Sequence, residues 1–264
     1  MEPLTISKFK TKNIKFGKTN NTNFGNFTDI LYNYNTNKTS KLYIQTPKLL
    51  CKFGVNKNYN DSTGKLKDYT LSLYLYDEQE SPIKISKLKQ KFQKMDIKIL
   101  KYAKKNCKEW LSKNNITDEE LDCIYYKMLK YKFLPDSEEI DTSKPPFITV
   151  KLKNFWKLRT SEGVIIEDVT EDNISKYINN NSIVKVIIVP TIWCVGDRFG
   201  VSQQVREVII YDQGCEYNKD NKDNKDNKDS TLVQTKLDVS MFTNNTNNTN
   251  NYDISDSDSD NYSD

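Results

Sequence analysis

Apolar and polar positions alternate with a period of two on either side of a central region whose period is three to four. Lys41 to Val55 (KLYIQTPKLLCKFGV) is rich in aliphatic and aromatic residues and predicts a strand, bent or interrupted at Pro47. A turn cluster follows at Asn60–Gly64. Tyr69 to Tyr76 (YTLSLYLY) alternates cleanly, with Leu71, Leu73 and Leu75 on one face and Thr70, Ser72, Tyr74 and Tyr76 on the other. That pattern predicts a half-buried strand whose second face carries exposed tyrosines. The period then lengthens. Ile85, Leu88, Phe92, Met95, Ile99, Tyr102 and Trp110 predict an amphipathic helix over roughly 84–112, with lysines on much of its remaining surface. Thr117-Asp118-Glu119-Glu120 reads as a capping box that opens a second helix through about Tyr131, closed by Pro135.

After Pro145-Pro146 the period returns to two. Phe147–Leu152 (FITVKL) predicts a strand. Ser182–Val189 (SIVKVIIV) is nearly continuous in apolar residues, as a central strand is, and Thr191–Val195 continues it past Pro190. Gly196–Gly200 reads as a hairpin turn and Val201–Tyr211 as the returning strand. Short strands interrupted by one helical insertion predict a mainly β protein: an antiparallel barrel or sandwich with a two-helix insert at about 84–132.

The expected domain is 1–215. Residues 216–264 change character: a fourfold NKD repeat, a short apolar patch, an Asn/Thr tract and an acidic end, YDISDSDSDNYSD. This stretch cannot bury enough apolar surface to offset a chain entropy of about 1–2 kcal/mol per residue, which predicts a disordered tail. The repeat itself reads most simply as slippage in an AT-rich genome.

Charge sharpens the division. The whole chain is formally +4, yet residues 1–215 carry +10 and residues 216–264 carry −6. A basic body joined to an acidic tail suits an anionic partner for the body and an interaction role for the tail. The chain has no histidine, which excludes a Ser-His-Asp triad, a histidine general base and any His-ligated metal. Its five cysteines form no C-x-x-C pair, so no metal site is expected, and their odd, scattered placing suits a reducing compartment. Neither GxGxxG nor GxxxxGK[ST] occurs, so no nucleotide cofactor is expected, and catalysis is the least supported class. Met1–Phe16 lacks the apolar core of a signal peptide, and no run approaches the length of a membrane span.

Binding single-stranded nucleic acid without regard to sequence requires a basic groove and aromatic faces for bases to stack on. Tyr43, Phe53, Tyr74, Tyr76, Trp156, Trp193 and Phe199 supply aromatic faces on or near the expected strands. Lys48, Lys52, Lys151, Lys153, Lys157, Arg159, Arg198 and Arg206 lie on or beside those strands. Trp156 shows the closest interleaving of aromatic and basic residues. Arg198 and Phe199 fall at the expected turn tip. Trp193 sits in an apolar run and reads first as core, second as platform.

Three blocks together resemble the OB-fold single-stranded DNA-binding proteins of large nucleocytoplasmic DNA viruses, which are similar to the acidic-tailed single-stranded DNA-binding proteins of certain phages. They are Tyr43-Ile44-Gln45-Thr46-Pro47-Lys48 running on to Phe53-Gly54-Val55, the Tyr69–Tyr76 strand, and Ile192–Val201 leading to Val205-Arg206-Glu207-Val208. The resemblance implies an OB-fold-like barrel that binds single-stranded DNA during viral DNA replication, recombination or repair. It implies that Asp253, Asp256, Asp258, Asp260, Tyr262 and Asp264 form a tail that docks viral replication proteins; tethered to a basic body, that acidic tail is also expected to compete with DNA. The phage proteins end in an aromatic residue, whereas here Tyr262 stands two positions before the terminal Asp264. Location at a viral replication site in the host cytoplasm or in the virion is implied too; a homodimer is left open, and no membrane partner is expected. The alternative is a virion scaffolding or RNA-packaging protein using the same sheet.

Overall fold

The period-two runs become strands that close into a ring. The computed structural model describes residues 2–35, 38–60, 62–76, 81–152, 157–170 and 173–212, which belong to one unit, Met1–Tyr217. The expected tail from 216 onward lies outside the described residues. In chain order the strands and helices are β1 (Leu4–Thr5), β2 (Ile14–Thr22), β3 (Gly25–Asn35), β4 (Lys38–Lys41), β5 (Ile44–Gln45), β6 (Leu49–Tyr59) and β7 (Leu66–Tyr74). Then come α1 (Pro82–Lys105), α2 (Cys107–Leu111), α3 (Asp118–Ile124), β8 (Tyr125–Tyr126), β9 (Phe147–Leu152), β10 (Lys157–Thr160), β11 (Ile165–Ile166), β12 (Ser182–Val195) and β13 (Arg198–Asp212).

Strand pairing runs β6–β7–β9–β13–β12 and back to β6. Numbered along the chain, the five strands of this circuit are joined 1-2-3-5-4-1, the order of an OB barrel. The β9–β13 pair runs parallel and the other four antiparallel. Alternation fills the inside. Leu71 and Leu73 of β7 lie opposite Val150 and Ile148 of β9, and all four are fully buried. Cys51, Val184, Val208 and Ile210 are buried from the remaining barrel strands. The protein is therefore mainly β with a helical insertion between the second and third barrel strands, as the sequence predicts.

The break expected at Pro47 separates β5 from β6. Pro190, by contrast, does not interrupt β12. On one side of β12, β5 pairs residues 187–188 and β3 pairs 191–194. Pro190 falls at the change of partner, where a missing N–H removes no ladder bond on that side. The turn at Asn60 is held by its Oδ1, which accepts from Ser62 N and Thr63 N, with Gly64 at φ 63°.

Three elements differ from expectation. The first helix is broken at Asn106 into α1 and α2. The capping box at Thr117 and Glu120 is present, but α3 ends at Ile124 instead of continuing to Tyr131. Tyr125–Tyr126 pairs in parallel with Phe199–Gly200 of β13, and the buried Asp96 carboxylate of α1 accepts from Tyr125 OH at 2.6 Å and Met128 N at 3.3 Å. These tertiary bonds outweigh a weak helical preference. Finally, the expected five-residue hairpin turn is two residues long, Gly196-Asp197, because Val195 already pairs with Arg198. Beyond the barrel, the β2–β3 hairpin, which the alternation analysis did not register, extends the sheet by pairing β3 with β12.

Candidate nucleic-acid interface

The outer face of β6, β7 and β9 gathers the most aromatic and basic residues, and a bulge explains how. Cys51 pairs with Leu73 and Val55 with Leu71, so Lys52, Phe53 and Gly54 stand opposite Ser72 alone. Gly54 takes φ 62°, and a Cβ there would lie 3.1 Å from Ile178 O and 3.2 Å from Asn179 C. Glycine is required both by the left-handed conformation and by the close approach of this segment. Cys51 Sγ donates to Gly54 O and closes the bulge. The extra residues thrust Lys52 and Phe53 outward, and Phe53 remains half exposed, at 51%.

Phe53 stands edge-on to Tyr74 at 6.0 Å between ring centroids. Tyr74 stacks on Phe147 at 5.2 Å and on Tyr76 at 6.2 Å. Lys52 lies over Phe53 and Lys132 over Phe147. The sequence placed Tyr74 on an exposed platform. It is instead only 4% exposed, because neighbouring rings pack on it, and it supports Phe53 and Phe147 rather than offering a free face. Burial, with Tyr76 beside it, raises its phenol pKa above the ordinary value. Tyr76 is half-buried.

Lys151 reaches the same face paired with Asp68, Nζ to Oδ2 at 2.9 Å. Burial of Asp68 works to raise its pKa, but bonds from Lys151 and Asn58 outweigh this and hold it below the usual carboxylate range. Lys144, also exposed here, pairs with Asp141.

A second group sits at the β12–β13 hairpin. Trp193 is not core, as the apolar run suggested: Ile192 and Cys194 point inward, and Trp193 is half-buried on the outer face, 5.5 Å from Tyr126. Exposed Arg198 donates to Tyr126 OH at 2.6 Å. Phe199, expected at a turn tip, is fully buried against Tyr125 and Trp110. The tight two-residue turn puts it one position into β13, on the inward parity, so it cannot meet a base in the folded protein.

The remaining candidates are scattered. Tyr43 is half-buried, and its N–H donates to Tyr34 OH. Lys48 and Lys185 both lie over the Tyr211 ring, at 4.3 and 4.9 Å. Arg159 Nε is 2.9 Å from Glu207 Oε1, an ion pair without hydrogen-bond alignment. Lys157 is exposed at the start of β10, and Arg206 is the residue skipped in the β12–β13 register. Lys153 and Trp156 lie outside the described residues, as do Asp253, Asp256, Asp258, Asp260, Tyr262 and Asp264.

The structure thus brings Lys52, Phe53, Tyr74, Tyr76 and Lys151 to one face. It adds Phe147 and Lys132, which the sequence analysis missed. Phe147 opens a strand that was read correctly, but only the Tyr74–Phe147 register shows that the rings meet.

Burial pushes the thiols of Cys51 and Cys194 up to about 12, which leaves both protonated. Among the described residues no group of three or more His, Cys, Asp or Glu could hold a metal ion, and no helix is long and apolar enough to cross a membrane.

No protein-family model matches the chain, and no curated protein matches it in sequence. Among solved structures, it is similar to the single-stranded DNA-binding protein from bacteriophage Enc34 in complex with ssDNA, with a TM-score of 0.45 at 14% identity over 77% of this chain and 98% of that one. It is also similar to gp2.5, a single-stranded DNA-binding protein encoded by bacteriophage T7, with a TM-score of 0.38 at 12% identity over 69% and 98%. The fold of this chain rests on its own strand circuit.

Proposed function

We propose that this protein binds single-stranded DNA with little regard to sequence, along the outer face of β6, β7 and β9. The observation that carries the reading is the Lys52–Phe53 bulge, set over the Tyr74–Phe147 stack and flanked by Lys132. The second and third strands of an OB barrel form a surface suited to oligonucleotides. Here that surface offers ring faces and edges for bases and ammonium groups for phosphates. Each stacked base contributes about 1–3 kcal/mol, and every base has a face to stack, which makes such binding tolerant of sequence. The +10 charge of residues 1–215 supplies the attraction to the backbone.

In this reading the protein protects single strands during viral DNA replication, recombination or repair, and the acidic tail docks replication proteins while competing for the basic face. A fluorescence titration with oligo(dT) and with duplex of equal length, at two salt concentrations, tests it. Single strands are expected to bind more tightly, with log K falling by roughly 0.7 per log unit of salt for each phosphate neutralised. Equal affinity for duplex, or affinity indifferent to salt, overturns the reading.

A further inference from the structure

The hairpin group has a geometry that the β6–β7–β9 face does not share. Four strands cross there in one row. Phe27 of β3 pairs with Trp193 of β12, Trp193 with Gly200 of β13, and Gly200 with Tyr126 of β8. Residues in one row of a sheet share a face. The row therefore reads aromatic, aromatic, glycine, aromatic on the outside. The glycine is what lets the rings meet. A Cβ at 200 would stand 2.8 Å from Tyr126 Cβ, 3.0 Å from Tyr126 O and 3.1 Å from Trp193 Cζ2. Gly200 has no positive φ, so its role is to leave space, not to permit a turn. With that space open, Trp193 and Tyr126 close over the strand to 5.5 Å at a 46° tilt.

The ledge is open to solvent and carries positive charge. Tyr126 is 46% exposed. Arg198, two residues from Gly200 on the same face, holds its guanidinium 5.8 Å from the Tyr126 ring centre and bonds the phenol oxygen. The carboxylate two positions along β3 from Phe27, Asp29, is taken up by Lys41 at 3.0 Å. The same outward parity of β13 runs from Gly200 to Gln204, which pairs with Lys151 on the β6–β7–β9 face. Four residues of strand span about 13 Å, so both surfaces lie within reach of one extended single strand.

We propose that Trp193 and Tyr126, closed over Gly200 and flanked by Arg198, form a second base-stacking subsite, so that one single strand contacts the barrel at two places. The inference rests on the single-stranded DNA reading above. Trp193 and Tyr126 offer their ring surfaces to a base, and Arg198 is placed to meet the adjoining phosphate. Phe27 continues the row beside Trp193. Gly200 is a positioning residue.

The test uses the full chain and oligo(dT) of about 16 nucleotides, the upper site size for one OB barrel. Tyr126→Ala and Arg198→Ala alter exposed side chains, and equal thermal midpoints confirm that the fold is kept. Tyr126→Ala is expected to weaken binding roughly 5- to 150-fold, the loss of one stacked base. Arg198→Ala should also weaken it and flatten the salt slope by about one phosphate, roughly 0.7. In Trp156→Phe protein the tryptophans left are Trp110, buried in the core, and Trp193. Oligo(dT) should quench that variant through Trp193. Unchanged affinity in both Tyr126→Ala and Arg198→Ala, with Phe53→Ala weakened, overturns the ledge and leaves the β6–β7–β9 reading standing. Weakening at Tyr126 and Arg198 with none at Phe53 keeps the ledge as a stacking site but overturns both the two-place contact and the β6–β7–β9 reading. Wild-type protein that binds no single strand overturns both.

Discussion

Replacing Asp96 with Asn isolates a single buried charge. Asp96 lies on the inner face of α1 and is nearly inaccessible. Burial lifts its pKa from 3.8 to about 6, against the opposing pull of bonds from Tyr125 OH and Met128 N and the charge of Lys127. Because the folded protein binds this proton more tightly than the unfolded chain, the charged form opposes folding. The contribution is absent below about pH 4, grows as pH rises from 4 to 6, and is complete above that range. Two pKa units at 1.36 kcal/mol each give about 3 kcal/mol. Asn keeps an oxygen to accept from Tyr125 and Met128 but cannot ionise. Urea melts of both proteins from pH 4 to 8 should therefore diverge, with Asp96→Asn gaining about 3 kcal/mol on wild type between pH 4 and 7. Asp68 titrates in both proteins, so its opposite trend cancels in the difference. A difference independent of pH would show that Asp96 is not titrating in this range, and the reasoning would fail. Asp96→Ala is the counterpart: it strands two buried donors and should cost about 1–3 kcal/mol at pH 4, and because Ala cannot ionise either, the balance should shift in its favour by about 3 kcal/mol toward pH 7.

Leu73→Ala empties a fully buried barrel position and should cost about 2–5 kcal/mol in a denaturant melt. Gly54→Ala meets both the left-handed φ and a carbonyl 3.1 Å from the new carbon; a loss of about 1–2 kcal/mol is expected, and a gain would contradict the bulge's role. Phe53→Ala should weaken oligo(dT) binding roughly thirtyfold, near the middle of the stacking range, with the thermal midpoint unchanged. Removing residues after Tyr217 should raise single-stranded DNA affinity at low salt, with the gain fading as salt screens the competition; identical binding at every salt concentration would mark the tail as an inert appendage.

Much of the barrel was legible because its strands state their own burial. In Phe147–Leu152 and Tyr69–Leu75 every second residue faces inward, and the period alone assigns the face. The capping box at Thr117 was equally local: its partners are three residues apart, and it formed as read. The charge division and the absence of histidine, which together turned the reading away from catalysis and toward an anionic partner, needed nothing beyond composition. What the sequence could not supply was contact between residues far apart in the chain. α3 stops at Ile124 because Asp96 and β13 compete for the segment after it, and neither is near in sequence. Tyr74 looked exposed because alternation names the face but not what lies on it; Phe53 and Phe147 reach that face from other strands. Trp193 and Phe199 exchanged roles for a similar reason. A run of apolar residues hides parity, and one residue's difference in turn length moves every following side chain to the opposite face. The sequence by itself located the five barrel strands, though not the β2–β3 hairpin, and the inner positions that fill the barrel. Only the closure of β6 through β13, and the register at which it closed, decided which aromatic rings stand together at the surface.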